Sequence, residues 1–112
     1  MNTETIWEFR TADFRVAYEV FPEYDLDLSW DEDGEIRDRL ERGLLVAFVA
    51  KVAVYWQGRE ISADYLGNCI YESAEDFRDH FGSKGSYFSD MVRSAVKEAR
   101  RNLNAVPKLR AA

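Results

Sequence analysis

Cysteine is almost missing from this chain. Cys69 is the only one in 112 residues, so no intramolecular disulfide can form and a zinc site of several thiolates is excluded. A domain without cross-links fits a reducing compartment. Long apolar runs are missing as well: the longest unbroken stretch, Leu44 to Ala50, is too short to span a bilayer as a helix. The opening residues, Met-Asn-Thr-Glu-Thr, lack the basic and apolar regions of a secretion signal. These absences lead us to expect a cytoplasmic protein with no membrane partner. Histidine occurs once, at His80, which leaves no imidazole pair. There is no phosphate-binding glycine loop and no nucleophile elbow. The expectation is a protein without cofactor or metal that is not an enzyme.

Aromatic residues are plentiful. They make up 14% of the chain and apolar residues 46%, enough to fill the core of one small domain and too many for a disordered chain. The net charge of −6 favours solubility and disfavours direct nucleic-acid binding. Its distribution is uneven: Glu19 to Glu35 holds eight acidic residues and no basic one, whereas Lys84 to the end holds seven basic residues against Asp90 and Glu98.

Thr5 to Thr11 alternates, with Ile6 and Glu8 on one side and Trp7 and Phe9 on the other. Phe14, Val16, Tyr18 and Val20 repeat every second residue after Ala12-Asp13, which predicts an antiparallel hairpin ended by Pro22. Glu23 to Trp30 keeps a period of two, Tyr24-Asp25-Leu26-Asp27-Leu28, which suits a short edge strand or, as the preferred reading, an extended loop pinned by its apolar residues. Ser29, with Glu32 three residues on, can cap a short acidic helix carrying Ile36 and Leu40 and stopped by Gly43. Leu44 to Gln57 is apolar on both faces, as a central strand should be, and Gln57-Gly58-Arg59 turns it into a second long strand, Glu60 to Tyr71. The parity of apolar residues changes at Gly67, which predicts a bend there. Ser73 caps a helix that places Phe77 and Phe81 inward. The last helix runs from about Ser86 to Leu103, with Phe88, Met91, Val92, Ala95, Val96, Ala99 and Leu103 on one stripe. The fold class is therefore α+β: an antiparallel sheet of about four strands with a short acidic helix and a C-terminal helical pair on one face. Residues 1–106 form the single domain, and 107–112, opened by Pro107, form a basic tail.

Four candidate sites stand out. Ser29 to Gly34 resembles the start of a calcium loop, but Leu40 occupies the position where a bidentate Glu belongs, which favours a capped helix start. Cys69 and His80 could form a nucleophile and base, although a lone strand cysteine is more often core. The acidic segment of Glu23, Asp25, Asp27, Trp30, Asp31, Glu32, Asp33 and Glu35 could dock a partner, with Tyr24, Leu26, Leu28 and Trp30 as anchors. Alternatively those four side chains fix the loop to the core, and Trp30, just inside the helix start, staples the helix to the sheet. The fourth candidate is the basic face of the last helix, Arg93, Lys97, Arg100 and Arg101, continued by Lys108 and Arg110. It suits a small nucleic-acid-binding module, or an ordinary solvated face that complements the helix dipole.

The words Leu28-Ser-Trp-Asp-Glu-Asp-Gly-Glu35, Asp64-Tyr-Leu-Gly-Asn-Cys-Ile-Tyr-Glu-Ser-Ala-Glu-Asp-Phe-Arg78 and Tyr87-Phe-Ser-Asp-Met-Val-Arg93 resemble small acidic accessory proteins of phages, prophages and mobile elements. The likeness covers most of the chain and carries no catalytic residue. It implies a non-catalytic accessory product, a group that includes anti-CRISPR-type inhibitors of host defence. The implied partner is a host protein or nucleoprotein complex. Asp25 and Asp27 would lie about 6.6 Å apart in an extended chain, a spacing loosely like that of phosphates.

Overall fold

The computed structural model describes residues 3–79 and 87–111, with side chains as far as 104. Its elements are β1 (Glu4–Arg10), β2 (Phe14–Pro22), α1 (Glu35–Glu41), β3 (Val46–Trp56), β4 (Arg59–Tyr71), α2 (Ala74–Asp79) and α3 (Tyr87–Ala111). The strands form one antiparallel sheet in the order β1-β2-β3-β4, a meander in which each strand pairs with its sequence neighbour. This is the α+β architecture expected from the periodicity. No helix among the described residues is long and apolar enough to cross a membrane.

Each turn has a local cause. Between β1 and β2 the Thr11 N–H donates to the Phe14 carbonyl at 2.8 Å, and the Phe14 N–H donates to the Thr11 hydroxyl at 3.1 Å. This sets Arg10 opposite Arg15, a like-charge pair that would weaken the hairpin. Glu8 offsets it by accepting from Arg10 Nε at 3.1 Å and Arg15 Nε at 2.7 Å. Between β3 and β4, Gln57 and Gly58 both have positive φ, 50° and 80°, the pair of conformations that a two-residue hairpin turn needs.

The even-numbered residues of β2 and β3 face the helices. Tyr18, Val20, Phe48, Ala50, Val52 and Val54 are buried there against Phe77 of α2 and Met91, Ala95 and Ala99 of α3. The stripe expected on the last helix is thus the one that packs. Two polar ties fix α3 along β4: Ser62 Oγ donates to the Ala95 carbonyl and Asn102 Nδ2 to the Ile61 carbonyl, each at 2.6 Å. As expected, Ser73 caps α2, its hydroxyl accepting from the Asp76 N–H at 3.1 Å. Phe81 lies outside the described residues.

Bulges adjust this pattern. Leu66 pairs with Ala50 and Cys69 with Phe48, so Gly67 and Asn68 together face Val49, and Asn68 takes a φ of 53°. The bend expected at Gly67 is this bulge. A second irregularity, between Thr5 and Trp7, turns Ile6 towards the core beside Trp7, so Ile6 does not share the side of Glu8 as strict alternation suggests.

Two helix boundaries differ from expectation. α1 starts at Glu35, six residues after Ser29, because Gly34 adopts a φ of 72° at its N-cap and Asp31 supplies the cap. Gly43 does end it: at φ 75° it donates to the Leu40 carbonyl while Leu44 donates to Arg39. α3 continues through Pro107 to Ala111, so the backbone expected as a tail is helical, at the loss of the one hydrogen bond that proline cannot donate.

Phe77 joins α2 to the sheet and is only 2% exposed. Phe77→Ala should destabilise the protein by about 3 kcal/mol or more, read from the urea midpoint. A loss below about 1 kcal/mol would show that the ring does not hold α2 in place.

Candidate functional site

The chain leaves β2 at Pro22 and is pinned at once to the bulge on β4. Glu23 accepts through Oε2 from the Asn68 N–H at 2.8 Å and through Oε1 from the Asp25 N–H at 3.2 Å. The Asp27 N–H donates to Asn68 Oδ1 at 3.3 Å. The bulge matters because it frees the Asn68 amide from the ladder to β3. Beyond it, the Ser29 N–H donates to Asp27 Oδ1 at 2.9 Å and holds the Asp27 carboxyl below its ordinary value.

Asp31 and Asp33 organise the start of α1. Asp31 accepts from the N–H groups of Ile36 at 3.2 Å and Arg37 at 3.0 Å, and Asp33 accepts from the Glu35 N–H at 3.2 Å. Open helix amides are thereby satisfied by carboxylates, which also favour the positive end of the helix. These oxygens point at backbone amides, the arrangement of the capped helix start rather than of a calcium loop.

Trp30 is not a staple. It is 58% exposed, and its Nε1 donates to the Asp27 carbonyl at 2.9 Å, a bond that props the indole outward over the loop. Tyr24 is 79% exposed, whereas Leu26 and Leu28 are half-buried. Trp30, Asp31, Glu32, Asp33 and Glu35 surround one shallow hollow of about 410 Å³, with Ile36 as its remaining wall. Glu23, Asp25 and Asp27 lie on the approach from β2. An indole beside several carboxylates is suited to a guanidinium or ammonium group, by stacking and by ion pairing together.

The remaining candidates fare less well. Arg93 pairs with Asp90 at 3.3 Å and Arg101 with Glu98 at 2.7 Å, so acidic partners are interleaved in the basic face and only Lys97 and Arg100 of the four stand outside those pairs. Cys69 is 3% exposed, with Sγ donating to the Leu66 carbonyl at 3.3 Å, and burial pushes its pKa up to about 11, the opposite of an activated thiolate. His80 lies outside the described residues.

Sequence reasoning missed a polar cluster on the sheet face turned away from α2 and α3. Glu19 is buried at 7% exposure, accepting from the Tyr55 hydroxyl at 3.0 Å and lying 3.8 Å from Lys51 Nζ, which reaches Glu60 at 2.6 Å. Burial opposes the Lys51 charge, and Glu60 more than restores it, so its pKa is raised. Glu19 therefore belongs to the sheet and not to the acidic segment. The signal was its odd parity on β2, opposite Lys51 on β3.

Two measurements follow from these positions. Trp30→Ala should leave the melting temperature nearly unmoved, while Asp31→Ala should cost about 1 kcal/mol as a lost helix cap; the reverse order would make Trp30 a core residue. The folded Cys69 thiol keeps its proton to about 11 against an ordinary 9.0, so its contribution is intact below pH 9.0 and stability falls as pH rises from there. Cys69→Ala should flatten the stability profile between those values by about 2 kcal/mol, measured by denaturant titration at each pH; an unchanged slope would reject the assignment.

Comparison with protein-family models, with curated proteins and with solved structures finds no match, so the reading of this site rests on its own geometry.

Proposed function

We propose that this chain is a non-catalytic accessory protein of phage or mobile-element origin that binds and blocks a nucleic-acid-handling host complex, in the manner of anti-CRISPR inhibitors. The binding surface is the segment from Glu23 to Glu35. One observation carries this reading: the Trp30 indole stands exposed among carboxylates, on a loop held by hydrogen bonds to the sheet and to its own helix. Large aromatics in that setting anchor interfaces, and a loop already ordered loses little entropy on docking. The segment contains no basic residue, and no ion pair among the described residues engages it. Its field is thus available to a basic partner, such as the groove in which another protein holds nucleic acid. The phage origin rests on the sequence resemblance alone.

The rival is a nucleic-acid-binding module built on α3. Asp90 and Glu98 on that helix weigh against it, since they lower the local positive potential.

Affinity capture from bacterial host cells, with the bound protein identified by mass, supplies the partner for kinetics. Asp25 and Glu32 make no hydrogen bond through their carboxylates among the described residues, so Asp25→Lys with Glu32→Lys leaves the loop's own bonds intact. That double variant should slow association about tenfold at low salt and weaken its salt dependence. Trp30→Ala should speed dissociation and cost about 2 kcal/mol or more of affinity. Full affinity in both variants would reject this surface. A band shift of DNA or RNA that disappears steeply with added salt would favour the rival.

A further inference from the structure

The second open feature lies at the other end of β2, between the β1–β2 hairpin and the middle of α3. Between them is a groove of about 470 Å³. Trp7, Phe9 and Phe14 form one wall, and Val96 and Leu103 form the other. Phe9 is 57% exposed at the rim, so the apolar lining continues onto the surface. Besides the indole N–H of Trp7, the polar side chains among the described lining residues are Thr11 and Arg100, and the Thr11 hydroxyl already accepts from the Phe14 N–H. Arg100 makes no ion pair among the described residues, although Arg93 and Arg101 on the same helix do.

We propose that this groove binds a small amphipathic carboxylate, with its alkyl chain between the hairpin and α3 and its head on Arg100. Volume and lining fall in the range of small-molecule sites, which are mostly apolar with a few orienting polar groups. Arg100, the one cation among the described lining residues, selects the ligand. A neutral hydrocarbon would leave Arg100 unused and an amine would be repelled, whereas a carboxylate can take two parallel hydrogen bonds from the guanidinium. The acyl chain could come from a free fatty acid or an anionic phospholipid. A groove walled by two elements favours the free acid, which need not leave a bilayer. The site is separate from the Glu23 to Glu35 surface and does not depend on its role.

The test is titration of isotope-labelled protein with hexanoate, octanoate and decanoate below their micelle concentrations, followed by amide chemical shifts and calorimetry. Shifts should concentrate at Trp7, Phe14 and Val96, and affinity should rise roughly fourfold per added methylene. Octanol should bind at least about tenfold more weakly than octanoate, as expected when a charge-assisted pair is lost. Arg100→Ala should abolish that preference and Arg100→Lys should restore part of it; both change an exposed residue and should fold normally. Val96→Phe, with circular dichroism confirming its fold, should block binding. The proposal is overturned by no saturable shift in the groove, by equal affinity for octanol and octanoate, or by wild-type selectivity in Arg100→Ala. Binding to phosphatidylglycerol vesicles without binding to free octanoate would also overturn it.

Discussion

Tyr18 sits in the middle of β2 with no exposed surface, its ring 5.7 Å from Phe77 and 5.3 Å from Phe88, and its hydroxyl donating to the Ala74 carbonyl at 2.8 Å. A buried phenol without that acceptor would cost about 1–3 kcal/mol. The bond therefore requires the first turn of α2 to lie directly over β2. α2 has only six residues, too few to stand alone, so its place depends on these contacts and on those of Phe77 with Phe48 and Tyr71. Phe88 brings in the start of α3 and also meets Trp7 of β1 at 5.6 Å. One side chain on a central strand thus ties both helices to the same sheet face. Burial also raises the Tyr18 pKa, which keeps the hydroxyl protonated as a donor.

Covering one face leaves the other to satisfy itself. Ala17 and Ala53 pair across β2 and β3 on that side and have no exposed surface, flanked by Arg15, Glu19, Lys51 and Tyr55. Long side chains can roof a small residue with their stems while their charged ends pair. Arg15 lies over the Tyr55 ring at 4.9 Å and Lys51 over the Tyr65 ring at 5.6 Å, so cations and aromatics shield the sheet where no helix does. The bulge at Gly67 and Asn68 then links this sheet to the acidic segment, because the displaced Asn68 amide is the donor that Glu23 accepts. A substituent on Gly67 would come within 3.1 Å of that carboxylate, so the absence of a side chain there serves the same junction.

Elements governed by a local rule were legible in the sequence. Phe14, Val16, Tyr18 and Val20 announce the buried face of β2, and the loss of alternation at Gly67 announces the bulge. Ser73 and Gly43 act as caps because each needs only its own neighbours. Trp30 was not legible. Its segment alternates, and parity groups Trp30 with Leu26 and Leu28, but what turns the indole outward is the carbonyl of Asp27, a residue held through its N–H by Asn68 far away in sequence. The start of α1 was misplaced for a related reason: Ser29 and Glu32 have the spacing of a capping box, but Asp31 reaches the amides of Ile36 and Arg37 across a turn opened by Gly34. The groove beside Arg100 required β1, β2 and α3 to be placed together, which no single stretch of sequence encodes.

The charge separation read along the chain survives in three dimensions, which did not have to follow. An acidic segment and a basic helix in one small domain could have folded against each other and cancelled. Instead Glu23 follows the Pro22 end of β2, while Arg100 lines the groove beside Phe14 at its other end. The nine residues of β2 span roughly 26 Å at about 3.3 Å per residue. That distance is several times the screening length of about 8 Å in physiological salt. Across such a distance Arg100 does little to weaken the potential at the Glu23 end, and Glu23 does little to weaken that around Arg100. Each of the two proposed sites thus has its own sign of charge beside an exposed aromatic, Trp30 at one and Phe9 at the other, so neither proposal depends on the other.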